Sequence, residues 1–594
     1  MSERRQFVRL LMAIVVVLAA FGGLAFRVGQ LHLDDNSELR ATVAKVRRVE
    51  QQILVGRGRI LDRRGAILAM DLTVYRLNAD PQTIVRDGLV EAYAALFSRK
   101  LGLDRTLVET RLRQPGRRQV YLAHELSEDD RQRVLELKLK HVWLEPVSAR
   151  HYPQHNLASH VVGFSNTEGV GSAGVEQALD EVLRGVPGVR VSQQDGKRRE
   201  MLDRRILEIP AQAGADVHLT IDINLQAMAE AALDQAVQQH RPLGAWAVIQ
   251  DVRTGEILAM ASRPDFDLNA YGRTPPERMR NCPTGYVYEP GSTFKIGVVA
   301  AGLNEGLVRP ETVFDCENGL WMYRGRPLRD FHPYGRLTVA DVLKKSSNIG
   351  AAKIALMLGE GRLERYLRDF GVGRASGIEL PGEEAGIFRS RSHWDALAPT
   401  RIAMGHSVGV TTLQMLGIMS AIANHGFLMK PVVVKRVVDA KGRTVKEFAP
   451  VAASRPIRED TARLMCALLS HVTEEGGTGR RAAVPGYRVA GKTGTATKPG
   501  PGGYDEDRNI ASFVGVIPAD DPVLAIAVAV DEPQPEHTGG VVAAPVFRQI
   551  AQEAVRYLNI PPTGTEEPVV PGDDSSDGPG GGDEEAGHAD WATL

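Results

Sequence analysis

The longest uninterrupted apolar run lies near the start of the chain. "LLMAIVVVLAAFGGLAF", Leu10 to Phe26, holds 17 residues without a charge between Arg9 and Arg27. At about 1.5 Å rise per helical residue it nearly matches a hydrocarbon core of ~30 Å. Val28 and Leu31 can extend it. The run exceeds the ~7–15-residue apolar region of a cleaved signal peptide, so a retained transmembrane anchor is expected. Arg4, Arg5 and Arg9 precede it. They keep the N-terminus cytoplasmic and put everything after Arg27 outside the inner membrane.

Beyond the anchor the pattern changes. Residues 46–71 alternate apolar and polar positions around glycines, which predicts short strands and turns. Residues 84–140 carry helical periodicity, and a Gly-punctuated loop then leads into a helix over 174–183. An amphipathic helix is predicted over 223–240. Two strands follow, "AWAVIQDV" and "EILAMAS", joined as a hairpin through Arg253, Thr254 and Gly255. The far end supplies "YRVAGKTGTA", "ASFVGVIP" and "VLAIAVAV" as further strands, then a closing helix "VFRQIAQEAVRYL". The stretch between, about 290–430, reads as mostly helical. Strands at both ends with helices between them predict an α+β domain, an antiparallel sheet assembled from its two termini around a helical insert.

Composition then bounds the picture. A chain of 594 residues exceeds one core, so several domains are expected. These are an anchor with its cytoplasmic tip over 1–35, an elongated extracytoplasmic domain over 36–210, the α+β domain over 211–560 and a tail over 561–594. The tail has nine Asp or Glu and no Lys or Arg, and is expected to be disordered. A formal net charge of -1 gives no electrostatic reason to expect nucleic acid as a partner. Cys282, Cys316 and Cys466 are too few and too widely spaced for a disulfide framework, and His-Glu-x-x-His is missing. No metal or cofactor is therefore expected.

The candidate chemistry starts at "EPGSTFK", residues 289–295. If Pro290 and Gly291 turn into a helix, Ser292 lies in its first turn and Lys295 follows at i+3 on the same face. A serine hydroxyl needs a base to become a nucleophile, and a lysine is a base only where burial or a nearby cation lowers its pKa. Alone, the stretch would read as an ordinary helix start. Two further motifs change the odds. "KKSSNIG" holds Ser346 and Asn348, which in an extended loop would face one cleft together. "AGKTGTA" puts Lys492 and Gly494 on one face of a strand, glycine leaving room beside the ammonium, with the hydroxyls of Thr493 and Thr495 nearby. Ser-x-x-Lys, Ser-x-Asn and Lys-Thr-Gly each occur once, in that order, separated by 54 and 146 residues.

This set resembles the penicilloyl-serine transferases, which comprise the penicillin-binding proteins and the serine β-lactamases. "RGRILDRRGAILA" (57–69), "RHYP" (150–153) and "GVGSAGVE" (169–176) are similar to the juxtamembrane and pedestal motifs of class B penicillin-binding proteins. "TGEILAMAS", "GIELPGE", "TTLQM" and "VAAPVF" extend the likeness through the second domain, so it covers about residues 40–560. The wording "YEPGSTFK" and "SSNIG", with Glu289 and Asn348, resembles the division branch rather than the elongation branch. Cys282 departs from the arginine common at that position.

The resemblance implies a class B pedestal of the dimerisation type over 36–210 and a transpeptidase domain with a serine β-lactamase-like fold. It implies D,D-transpeptidation of peptidoglycan at the septum, with β-lactams as inhibitors. Ser292 would be the acyl carrier, Lys295 its base and Ser346 the proton relay. Asn348 would hold the donor stem pentapeptide, while Lys492, Thr493, Gly494 and Thr495 receive its terminal D-Ala-D-Ala carboxylate. The implied partners are the membrane, an FtsW-type glycan polymerase and other division proteins, because the segment before Ala211 leaves no space for a glycosyltransferase domain. A β-lactamase would need neither anchor nor pedestal.

Overall fold

The computed structural model describes residues 2–33, 48–53, 55–194, 200–201, 206–500 and 503–563. The chain divides into two compact units, one of residues 1–55 with 186–213 and the other of residues 56–185 with 214–594. In the first unit, helix α1 (Ser2–Leu33) contains the apolar run and is long and apolar enough to cross a membrane. The same unit holds a small antiparallel sheet in which Arg48–Ile53 pairs with Gly188–Gln194.

In the second unit the sequence pattern is realised closely. Helix α2 (Ile223–His240) starts where Asp222 accepts the N–H groups of Asn224 and Leu225. Strands β1 (Gly244–Asp251) and β2 (Ile257–Arg263) form the expected hairpin. The catalytic insert opens with α3 (Lys295–Asn304) and continues through α4 (Asn348–Leu358). Strands β3 (Ala490–Gly500), β4 (Gly503–Ile517) and β5 (Leu524–Asp531) then complete an antiparallel sheet of order β2-β1-β5-β4-β3, and α5 (Ala543–Tyr557) closes the domain.

The sheet is buried on both faces, and strand alternation assigns each residue to one of them. Ala247, Ile249, Phe513 and Val528 pack with α2 and α5. Val248, Val514 and Ala527 pack instead with the insert, against Phe294, Ile296 and Val299 around the start of α3. From Lys295 to Leu303 every residue of α3 is buried. A helix that is apolar all round belongs in a core, and this one carries Lys295 into that core.

Two expectations need correction here. The stretch 84–140 is interrupted by a strand, Val120–Leu126, which pairs with Ile67–Ala79. The insert is less helical than expected, because short ribbons over Val313–Asp315, Leu320–Tyr323, Arg326–Arg329 and Arg336–Thr338 separate α3 from α4. The predicted strands at 46–71 fall partly at residues 46, 47 and 54, outside the described residues, as does the tail from 564 onward.

The three N-terminal motifs meet in one buried ion network. The guanidinium of Arg57 lies 2.6 Å from both Glu176 and Asp180, and Arg150 lies 2.6 Å from Glu176 and 3.0 Å from Asp71. The Tyr152 hydroxyl also donates to Glu176, at 3.4 Å. Glu176 is fully buried, so two arginines compensate its desolvation.

Candidate active site

Gly291 has φ +55, a conformation that side chains rarely tolerate, and bends the chain into a 3-10 turn, Gly291–Phe294, that runs into α3. Ser292 sits on that turn, three residues before the regular helix begins. A Cβ on Gly291 would come 2.8 Å from the carbonyl oxygen of Thr495, and one on Gly405 would come 2.1 Å from that of Gly291. The turn is thus held between strand β3 and the loop at 405, with backbone in closest contact on both sides.

Lys295 is fully buried, and its Nζ meets four oxygens. These are Ser292 Oγ at 3.0 Å, the Ser346 carbonyl at 2.5 Å, Asn348 Oδ1 at 2.7 Å and Ser346 Oγ at 3.2 Å. The Asn348 orientation follows from its own amide, which donates to the Arg329 carbonyl at 2.9 Å. A carbonyl and a carboxamide oxygen can only accept. When the amine is neutral they take its two N–H bonds and leave its lone pair for the Ser292 hydroxyl. Burial brings the Lys295 amine down to about 7, against a smaller opposing pull from Asp330. Burial thus makes the neutral amine accessible near pH 7, beside the serine whose proton it can take.

Ser346 and Asn348 do reach one site, but not through an extended loop. Ser346 stands at φ +61, and Asn348 is the first residue of α4. Between them Ser347 caps α4 by accepting the Gly350 N–H at 2.9 Å. Asp330, absent from every motif, takes the N–H groups of Asn348 and Ile349 at 2.5 and 3.0 Å and the Ser347 hydroxyl at 2.7 Å. A carboxylate there suits the positive end of an 11-residue helix. It also fixes the backbone that presents Asn348.

Strand β3 lies at the sheet edge and supplies the remaining wall. Lys492 Nζ donates to Ser346 Oγ at 2.9 Å. Burial and repulsion from Lys295 hold the Lys492 amine well below its ordinary value. The Ser346 hydroxyl thus stands between two lysine nitrogens. Thr493 Oγ1 donates to Thr478 Oγ1 at 2.9 Å, while Thr495 is exposed and its hydroxyl accepts the Gly539 N–H at 3.1 Å. Gly494 does not leave open room beside the ammonium. A Cβ there would meet Ser512 Oγ at 2.5 Å, Thr293 Cγ2 at 2.9 Å and the Pro290 carbonyl oxygen at 3.0 Å. The glycine lets β3 close directly onto the nucleophile's turn.

Cys282 packs beside the cluster of Trp246 and Tyr288. Burial pushes its thiol up to about 11, so it is not a thiolate at neutral pH.

Comparison with known proteins completes this picture. The family model described as "Penicillin binding protein transpeptidase domain" matches residues 245–552. The "Penicillin-binding Protein dimerisation domain" model matches residues 52–219. The chain belongs to the penicillin-binding protein transpeptidase family. Peptidoglycan D,D-transpeptidase FtsI of Escherichia coli (strain K12) is 34% identical to this penicillin-binding protein over 517 residues, covering 86% of this chain and 85% of the relative. Stage V sporulation protein D of Bacillus subtilis (strain 168) is 37% identical over 442 residues, covering 74% and 68% respectively. Among solved structures, penicillin binding protein 3 from Mycobacterium tuberculosis complexed with aztreonam aligns with a TM-score of 0.68 at 28% identity, covering 88% of this chain and 99% of that one. Helix α1 makes this penicillin-binding protein a single-pass inner-membrane protein with its catalytic domain on the periplasmic side.

Proposed function

We propose that this chain is a septal peptidoglycan D,D-transpeptidase that works through an acyl-enzyme on Ser292. One observation carries the chemistry: a buried lysine nitrogen that lies 3.0 Å from the Ser292 hydroxyl, with its two shortest contacts, the Ser346 carbonyl and Asn348 Oδ1, made to groups that can only accept. Ser292 Oγ attacks the carbonyl between the two D-alanines of a stem pentapeptide, and its proton passes to Lys295. Backbone N–H groups of Ser292 and Thr495 receive the oxyanion. As the C–N bond breaks, Ser346 hands a proton to the departing D-alanine amine and recovers one from Lys295. An amine on a neighbouring stem then attacks the ester, forming the cross-link and restoring the serine.

Asn348 holds the donor backbone. Thr493, Gly494, Thr495 and Lys492 receive the terminal carboxylate, whose charge draws Lys492 back to the ammonium form. A β-lactam enters by the same attack. It then persists, because among the described residues no carboxylate hydrogen-bonds Ser292, Lys295 or the Ser346 hydroxyl to activate a hydrolytic water. The spans of the two family models support a pedestal over about 36–210 and a transpeptidase domain over about 211–560. An FtsW-type polymerase is the partner we assign to supply glycan strands, with other division proteins around it.

Similarity to FtsI across 85% of that relative supports the division role. Depletion of the protein in its host is expected to give filaments that elongate without septa. Rounded cells, or a defect confined to sporulation, would overturn the septal assignment.

A further inference from the structure

Acyl transfer makes no use of the carboxylate of Glu289, three residues before the nucleophile. Its Oε2 accepts from the Tyr504 hydroxyl at 2.9 Å and faces His406 Nδ1 at 3.0 Å, and its Oε1 accepts the Ser407 N–H at 2.8 Å. The Tyr504 ring stands edge-on to the His406 ring, with centroids 5.3 Å apart. Tyr504 lies on β4 opposite Pro499 of β3. One carboxylate therefore ties together the nucleophile's turn, the loop after Gly405 and the outer end of the β3–β4 hairpin. A cleft of about 580 Å³ opens there, with Glu289, Ser407 and Trp394 among its walls on one side and Thr497, Lys498 and Pro499 on the other.

We propose that Glu289 and Tyr504 form a latch across this cleft, setting how far the hairpin stands from the nucleophile's turn, so that they select acyl donors whose peptide arm runs along β3. They are positioning residues, and the inference rests on the transpeptidase reading above. From Thr495 to Pro499 the strand advances four steps, about 13 Å at ~3.3 Å per residue. A terminal dipeptide spans only about 7 Å by the same measure, so only a longer donor reaches the latch. Burial and the Glu289 charge raise the Tyr504 phenol above its ordinary value, which keeps it a donor.

The test compares second-order acylation of Ser292 by two probes. One is the bare nucleus 6-aminopenicillanic acid, and the other is the same nucleus carrying a three-residue peptide arm. The preference for the armed probe is expected to fall about tenfold in Tyr504→Phe, the scale of one hydrogen bond to a charged group. Glu289→Gln should cause a similar fall, and the double variant no more than the worse single. Equal losses for both probes, an unchanged preference, or fully additive losses would overturn the latch. Tyr504→Phe keeps the ring, and a thermal midpoint close to wild type separates the effect from misfolding. Failure of either probe to acylate the wild-type protein would instead overturn the transpeptidase reading.

Discussion

Lys295→Met is expected to slow acylation of Ser292 by about 10²–10⁴-fold, the range for removing a positioned general base. The reason lies in the neutral fraction. At the ordinary value of 10.5 only about one lysine in three thousand would be neutral at pH 7. With its pKa near 7, about half are neutral there. The sign of the pH dependence follows, since only the unprotonated amine can accept the serine proton. The wild-type acylation rate should be level above pH 7 and fall about tenfold per unit below it. The Asp330 carboxylate favours the charged ammonium, so Asp330→Asn should move this limb to lower pH. Stopped-flow acylation by a chromogenic β-lactam between pH 5 and 9 reads both effects. A rate independent of pH across that range would contradict Lys295 as the base.

Glu176→Ala is expected to destabilise the fold by about 3–5 kcal/mol, because it leaves buried charge without its partner. The Arg57, Arg150 and Glu176 side chains are 6%, 6% and 0% exposed, so water cannot take the place of the lost carboxylate. This contrasts with surface pairs such as Arg113 with Glu91, where about 0–1 kcal/mol is expected. Thermal unfolding of the detergent-solubilised full chain should show a midpoint lower by several degrees, with Glu176→Gln intermediate. A midpoint within one degree of wild type would show that the network does not hold this fold together. The network also explains why "RGRILD", "RHYP" and "GVGSAGVE" recur as motifs without any reactive cluster: each contributes a member of one buried ion site.

The legible parts of this protein are those whose cause is local. Helix α2 was readable because its apolar spacing is written in adjacent residues. Strands β1, β2 and β5 were readable because each is a short apolar run, and β4 because its buried second half is one. The proximity of Lys295 to Ser292 needed only helical spacing. What escaped depends on tertiary contact. Asp330 lies in "LRDFHPYG", which looks like any turn, and its role exists only because α4 begins where its carboxylate points. The positive φ of Ser346 replaces the expected extended loop, since the chain must both present that hydroxyl and start a helix two residues later. Gly494 was expected to leave space, yet the space is filled by Pro290, Thr293 and Ser512 from distant elements. The strand at Val120–Leu126 was lost within helical surroundings because three of its seven residues are exposed and break the strict alternation of a strand.

Ser292 is expected to become acylated and to stay so. Intact-mass spectrometry of the protein after exposure to a fluorescent penicillin tests it most directly, with peptide mapping to locate the label. One stable adduct per chain is expected, on Ser292, abolished by Ser292→Ala. No adduct, an adduct on another residue such as Cys282, or rapid release of hydrolysed penicillin in the manner of a β-lactamase would contradict it.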